Sequence, residues 1–140
     1  MEEYNTIIKD LQNKNCESAF KWCQNNKSKL AKIGSPFEIK LAIQEIIELI
    51  KKDQRDKALE YIRKCPLMLK NENIDQIKKV MGCITFYKEI DKFPTYKYYF
   101  EEERWNDLIT QFKNDSFHVS GITTQSGLEI SLQVITAKFL

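Results

Sequence analysis

The residues whose types could perform metal or nucleophilic chemistry are few. The 140-residue chain has four cysteines, at positions 16, 23, 65 and 83, and no two of them form a Cys-x-x-Cys pair. A structural zinc site needs four closely spaced cysteine or histidine ligands, and the chain has one histidine, His118. We therefore expect free and mostly buried thiols and no bound metal. His118 falls in a predicted loop with no nucleophile paired to it, so we expect it to be an ordinary surface or packing residue.

The motifs of common enzyme classes are missing from the sequence. It contains no glycine-rich phosphate loop, no cluster of carboxylates and histidines with metal-ligand spacing and no Gly-x-Ser-x-Gly elbow. The formal net charge is +2, which argues little for nucleic acid. A short lysine cluster at residues 27–32 is typical of a solvated face. These observations predict no catalytic residues, no cofactor and no nucleic-acid partner.

Aromatic side chains are concentrated in residues 86–100, FYKEIDKFPTYKYYF. We predict that this segment is an irregular loop, and two interpretations of it stay open. Its second part, residues 93–100, could form a peptide-binding surface through Tyr96, Tyr98 and Tyr99, because tyrosine is enriched at interfaces. Alternatively, the aromatic residues fold over one end of the molecule and seal it.

The rest of the chain is predicted to be organised around one central buried helix at residues 35–52. Ser35 suits the N-cap, Pro36 the first helical position, and Glu38 completes a capping box. On a helical wheel, Phe37 and Leu41 lie nearly opposite a face made of isoleucines. The isoleucines of that face are Ile39, Ile43, Ile46, Ile47 and Ile50. A helix with two apolar sides must lie between two neighbours.

Apolar spacing predicts further helices around residues 4–11, 16–23, 58–62, 74–84 and 105–112. The last two of these are expected to bury Ile74, Ile77, Val80, Met81 and Ile84, and Trp105, Leu108, Ile109 and Phe112. The composition, with only four glycines and three prolines, favours the same fold class. We therefore predict an all-α bundle of about seven helices.

Local signals set the expected limits of these helices. Asn15 is a possible cap of the second helix, Gly34 ends the segment before the central helix, and Asp53 should end the central helix and cap the next. Pro66 should stop that next helix. Residues 115–125 are predicted to be a loop. In the tail from residue 127, apolar residues alternate as in a strand but also recur at helical spacing, and we favour a closing helix.

Targeting signals are not visible in the sequence. The first residues lack the basic start and apolar run of a signal peptide. No apolar stretch approaches the ~20 residues that span a bilayer. We expect a cytoplasmic or nuclear protein, or both, with no membrane partner.

The first half of the chain resembles the CTLH domain family. The matching residues are Ala19, Trp22-Cys23, Lys29-Leu30, Phe37-Glu38 and the helix QEIIELI at residues 44–50. The second half resembles the CRA region that follows CTLH in the same proteins, and residues 74–86 and 104–117 look most similar to the macrophage erythroblast attacher branch. The resemblance places a CTLH domain at 1–66 and a CRA region at 67–140, sharing one core.

The resemblance implies a subunit of the GID/CTLH E3 ubiquitin ligase. In that branch a LisH motif precedes CTLH and a RING-type domain follows CRA, and we expect neither in these 140 residues. The expected function is therefore a protein–protein interaction scaffold, not an enzyme by itself, whose partners are other CTLH/CRA-containing subunits. The alternative is a standalone helical peptide-binding adaptor that uses residues 93–100.

Two further faces are expected to bind the partner subunit. One is the opening helix, with Tyr4, Ile7, Ile8 and Leu11, and the other is the closing helix. The candidates on the closing helix are Leu128, Leu132, Ile135 and Phe139. Both faces lie at chain ends, next to where the family attaches its LisH and RING segments.

Overall fold

Helical structure accounts for nearly all of residues 2–123, the part of the chain that the computed structural model describes. Within this range there are eight α-helices, several short 3-10 turns and no strand. The α-helices are α1 Glu2–Gln12, α2 Glu17–Asn25, α3 Lys27–Ile33, α4 Phe37–Lys51, α5 Arg55–Lys64, α6 Ile74–Phe86, α7 Pro94–Lys97 and α8 Glu103–Thr123. The predicted all-α fold class is confirmed. The predicted closing helix lies outside the described residues.

The central helix α4 packs on two sides, as its sequence predicts. Phe37 and Leu41 enter one apolar cluster together with side chains of α1, α2, α3 and α8, which we call the α1–α8 core. The isoleucine face of α4 enters a second cluster with α5, α6 and Tyr99, which we call the α4–α6 core. Ile46 and Ile47 are fully buried there. Helix α4 therefore joins the two cores.

Helix α8 returns along the chain to pack antiparallel to α1. The rings of Tyr4 and Phe112 are 5.4 Å apart, and Lys14, just past the end of α1, pairs with Glu102 just before α8. The predicted CTLH segment and the predicted CRA segment consequently contribute to both cores. The boundary at residue 66 stays a prediction.

The start of α4 differs from the predicted cap by one residue, because the helix begins at Phe37 and Pro36, not Ser35, is the N-cap. The capping box does not form either. Ser35 Oγ accepts a hydrogen bond from the Phe37 backbone N–H at 3.0 Å. The box is wrong because its two groups are already bonded elsewhere. The Ser35 N–H donates to the Leu30 carbonyl at 3.1 Å, across a left-handed Gly34 that ends α3. Glu38 instead accepts from Gln24 Nε2 at 3.3 Å.

Two other predicted helix limits are confirmed and one is wrong. Asn15 Oδ1 accepts from the Glu17 N–H at 2.9 Å, and α5 ends at Lys64, two residues before Pro66. Asp53 does not cap α5. It takes a left-handed conformation, with φ of 59°, and ends α4, while Gln54 precedes α5 without a side-chain cap.

The predicted loop at residues 115–125 is helical as far as the description extends, through Thr123. Asp115 and Val119 continue the buried face of α8 beyond Phe112. The Asp115 carboxylate accepts hydrogen bonds from the Ser35 hydroxyl and from Gln111 Nε2, the latter at 3.0 Å. His118 is exposed on this helix and not in a loop. Polar composition suggested a loop, but the buried carboxylate is satisfied by a residue distant in sequence.

Candidate partner-binding surfaces

The apolar face of α1 is largely used inside the chain. Ile7 and Leu11 are fully buried in the α1–α8 core, and Tyr4 and Ile8 are half-buried against it. Helix α8 supplies the opposite surface. A partner could reach only the half-buried edge formed by Tyr4 and Ile8, so the partner-binding role of this face stays a prediction. The other proposed face, with Leu132, Ile135 and Phe139, lies outside the described residues.

The sequence predicted an irregular loop for the aromatic segment, but in the structure this segment consists of consecutive short helical pieces. A 3-10 turn at Tyr87–Lys92 is followed by α7 and by another 3-10 turn at Tyr98–Phe100. Pro94 occupies the first position of α7, where its fixed φ suits a helix and its missing N–H leaves no unpaired donor. The segment therefore has a defined backbone that fixes the direction of each ring.

Tyr96 points inward against α6. A Cβ placed on Gly82 would lie 2.4 Å from Tyr96 Cζ, so the ring sits directly on the helix backbone where a side chain is missing. The Phe86 ring stacks with Tyr96 at 5.9 Å and with Phe93 at 4.3 Å between centroids. Gly82 and these rings form one unit, which we call the Gly82 ring cluster.

Tyr98 and Tyr99 are held at the start of α8. The Arg104 guanidinium lies 4.6 Å from the Tyr99 ring centroid and 5.8 Å from that of Tyr98. The Tyr98 hydroxyl donates to Asp107, and this hydrogen bond is the main cause that raises the pKa of Tyr98. Tyr99 is buried, whereas Tyr98 is exposed.

The three predicted tyrosines thus face different environments. Tyr99 belongs to the α4–α6 core and Tyr96 packs against it, so Tyr98 alone among the three is exposed. This arrangement favours the interpretation in which the aromatic segment seals one end of the bundle. Their role in partner binding stays a prediction.

Exposed apolar side chains that the sequence reasoning missed lie along α6 and just before it. Leu69, Ile74 and Met81 are 70%, 50% and 40% exposed. We call these three residues the α6 patch. Ile74 and Met81 were expected to line the core. They do not, because Val80 and Ile84 fill the α4–α6 core instead. All of these residues are apolar and share the same helical spacing, so the sequence carried no signal that separates the exposed from the buried ones.

A groove of about 490 Å³ lies between α2 and α5. Its lining residues are Asn15, Glu17, Phe20, Lys21, Gln24, Glu45 and Tyr61. A second groove of about 450 Å³ continues on the other side of Tyr61, between that ring and Lys57, Glu60, Lys64 and Cys65. Neither contains the aromatic segment on which the sequence analysis concentrated.

The thiols are free, and three of the four are buried. Burial raises the pKa of Cys83 to about 12 and raises those of Cys16 and Cys23 further from their ordinary value. A thiol reacts as its thiolate, so these three are protected from oxidation and metal binding at neutral pH. Within residues 2–123, no group of three or more histidine, cysteine, aspartate or glutamate side chains is placed to hold a metal ion.

None of the helices in residues 2–123 combines the length and the apolar character needed to cross a bilayer.

Together, the fold and its surfaces define a class of protein: an all-helical domain with exposed apolar side chains and surface grooves. Comparison with known proteins identifies the family. The model of the family described as "CTLH/CRA C-terminal to LisH motif domain" matches residues 1–139. The chain belongs to this CTLH/CRA family.

Curated relatives agree with this assignment. The chain is 34% identical to the Protein MAEA homolog of Arabidopsis thaliana over 94% of its own length. It is 23% identical to the Protein RMD5 homolog of the same plant over 90%, and 32% identical to Protein FYV10 of Pyricularia oryzae over 76%. It spans only 32%, 32% and 26% of those three proteins. No solved structure gives a significant match.

Proposed function

We propose that this chain is a protein–protein interaction scaffold of a GID/CTLH-type E3 ubiquitin ligase complex. In this role it docks to other CTLH/CRA-containing subunits and so supports ubiquitin-dependent protein degradation. It binds no cofactor, nucleic acid or membrane and works in the cytoplasm, the nucleus or both. The chain itself transfers no ubiquitin. Family membership over residues 1–139 and the resemblance of its two halves to CTLH and CRA support this role.

The observation that carries the docking proposal is the α6 patch. A group of large exposed apolar side chains marks an interaction site, and Ile74 and Met81, seven residues apart, share one face of α6. Leu69, Ile74 and Met81 are exposed although the α4–α6 core beneath them is well filled. The α1 face, which the sequence favoured, is occupied by α8. We therefore assign subunit docking to α6 and the turn before it.

Charge substitution on the α6 patch tests this proposal. The probe is the CTLH/CRA region of the Arabidopsis RMD5 homolog, with binding measured by isothermal titration calorimetry. Replacing Ile74 and Met81 with Asp should weaken binding at least about tenfold, because central apolar contacts dominate interface energies. Both residues are exposed, so the helical circular dichroism signal should not change.

A matched control places two charges on another exposed helix face. Asn106→Asp with Thr110→Asp on α8 adds the same charge at exposed positions and should bind as the unaltered chain does. Equal affinity for the α6 variant and the control would contradict the docking assignment. Ubiquitin transfer by the purified chain with a conjugating enzyme, above a no-protein background, would contradict the proposed lack of ligase activity.

A further inference from the structure

The groove between α2 and α5 contains a carboxylate with no cationic partner. Glu45 is half-buried on α4, and among residues 2–123 no lysine or arginine nitrogen lies within salt-bridge distance of it. The neighbouring acids differ. Glu48 pairs with Lys51 at 3.2 Å, and Glu17 pairs with Lys21 at 3.6 Å. A partly desolvated carboxylate is stabilised by a nearby positive charge, and the groove is open to receive one.

The neighbouring Cys16 does not neutralise this carboxylate. Cys16 is buried, and its pKa is raised first by that burial and then by the nearby Glu45 carboxylate, so the thiol stays protonated and uncharged. Glu45 therefore remains an acceptor that a cation would satisfy.

Aromatic rings complete the walls of the groove. Phe20 from α2 and Tyr61 from α5 are both half-buried and line the same space as Glu45. Aromatic faces attract cations and also pack against the methylene stem of a long side chain. A groove lined by a carboxylate and two rings is therefore suited to a side chain that is apolar along its length and positively charged at its end.

We propose that this groove binds a lysine or arginine side chain of a partner protein. The charged end pairs with Glu45, and the stem lies between Phe20 and Tyr61. None of these residues belongs to the α6 patch. The groove is thus a second binding surface, and it does not depend on subunit docking.

Short peptides test the proposal directly on the whole chain. The probes are the capped tripeptides acetyl-Ala-Lys-Ala-amide and acetyl-Ala-Arg-Ala-amide, followed by amide chemical shifts in nitrogen-15 correlation spectra. We expect saturable shifts in α2 and α5 with millimolar affinity, about what one side chain provides. The peptide with norleucine in place of lysine keeps the stem without the charge and should not saturate at about 20 mM.

Substitutions separate the two parts of the site. Glu45→Gln keeps the shape and removes the charge, and it should weaken lysine and arginine binding at least about fivefold. Glu48→Gln, one turn away on α4 and outside the groove, is the matched control and should have little effect. Phe20→Leu keeps an apolar wall without a ring, and it should weaken binding independently of Glu45.

Three outcomes would overturn the proposal. They are an equal response to the norleucine peptide, unchanged affinity in Glu45→Gln, and no response to either cationic peptide at about 20 mM. Because no CTLH/CRA partner takes part in this assay, a negative result here leaves the subunit-docking test unaffected.

Discussion

Replacing Gly82 by alanine tests how the aromatic segment is attached to the bundle. The added Cβ would lie 2.4 Å from Tyr96 Cζ, 2.6 Å from Cε1 and 2.8 Å from the hydroxyl oxygen. Atoms cannot approach so closely, so the ring must move. Phe86 and Phe93 pack against that ring and resist the movement, with centroids 5.9 Å and 6.2 Å away.

The expected magnitude is a balance of opposing effects. Alanine in a helix interior is about 1 kcal/mol more favourable than glycine. Overpacking costs about 1–3 kcal/mol, and disturbing an aromatic pair costs about 0.5–1.5 kcal/mol more. We therefore expect Gly82→Ala to lower the free energy of unfolding by about 1–2 kcal/mol. The assay is urea denaturation followed by circular dichroism.

The chain offers a matched control for helix propensity. Gly121 also lies in a helix, and a Cβ there would meet nothing within 4 Å. Gly121→Ala should therefore leave stability unchanged or raise it by up to about 1 kcal/mol. In a Tyr96→Ala background the obstructing ring is gone, and Gly82→Ala should then become stabilising. If Gly82→Ala stabilises the unaltered chain as much as Gly121→Ala does, Tyr96 does not rest on the α6 backbone.

Three further predictions concern the core, the start of α4 and the thiols. Ile46→Ala should lower the free energy of unfolding by about 2–5 kcal/mol, and a loss under about 0.5 kcal/mol would show that α4 is not central. Ser35→Ala removes the acceptor of the Phe37 N–H at the start of α4 and a donor to the buried Asp115. Denaturation should therefore show a loss of about 1–2 kcal/mol, with Ser35→Thr much closer to the unaltered chain. Maleimide at about pH 8 should label the half-buried Cys65 before Cys83, because burial raises the pKa of Cys83 from 9.0 to about 12. Mass spectrometry that shows the reverse order of labelling would contradict the burial of Cys83.

The position and burial of a helix could be predicted where the residues of that helix alone determine them. Helix α4 has apolar residues on two sides, so Phe37 and Ile46 already indicate two neighbours before any neighbour is known. Asn15 and Pro66 act on the backbone within two or three residues, and both behave as expected. Such local signals need no knowledge of the rest of the fold.

The predictions at Asp53 and Asp115 were wrong for two reasons. One residue has a partner distant in sequence, and the other can take either of two local roles. Asp53 can cap a following helix or adopt a left-handed conformation after a preceding one, and both patterns look the same in sequence. Asp115 appeared typical of a loop because its partner, Ser35, is 80 residues away. Neither choice can be made from neighbouring residues alone.

The candidate surfaces were only partly predictable for the same reason. Clustering identified Tyr96, Tyr98 and Tyr99 as a group, but the direction of each ring depends on Gly82 and Arg104. The α6 patch depends on which α6 side chains the α4–α6 core can accept. Ile74 and Met81 differ from Val80 in burial, although all three side chains are apolar.

Hydrogen–deuterium exchange of the chain, alone and with a bound CTLH/CRA subunit, tests the central claim most directly. The proposed docking predicts that added protection is concentrated in residues 66–86, around Leu69, Ile74 and Met81, while α3 and the exposed face of α8 exchange as before. Protection confined to α1 or to the aromatic segment, with residues 66–86 unchanged, would contradict it.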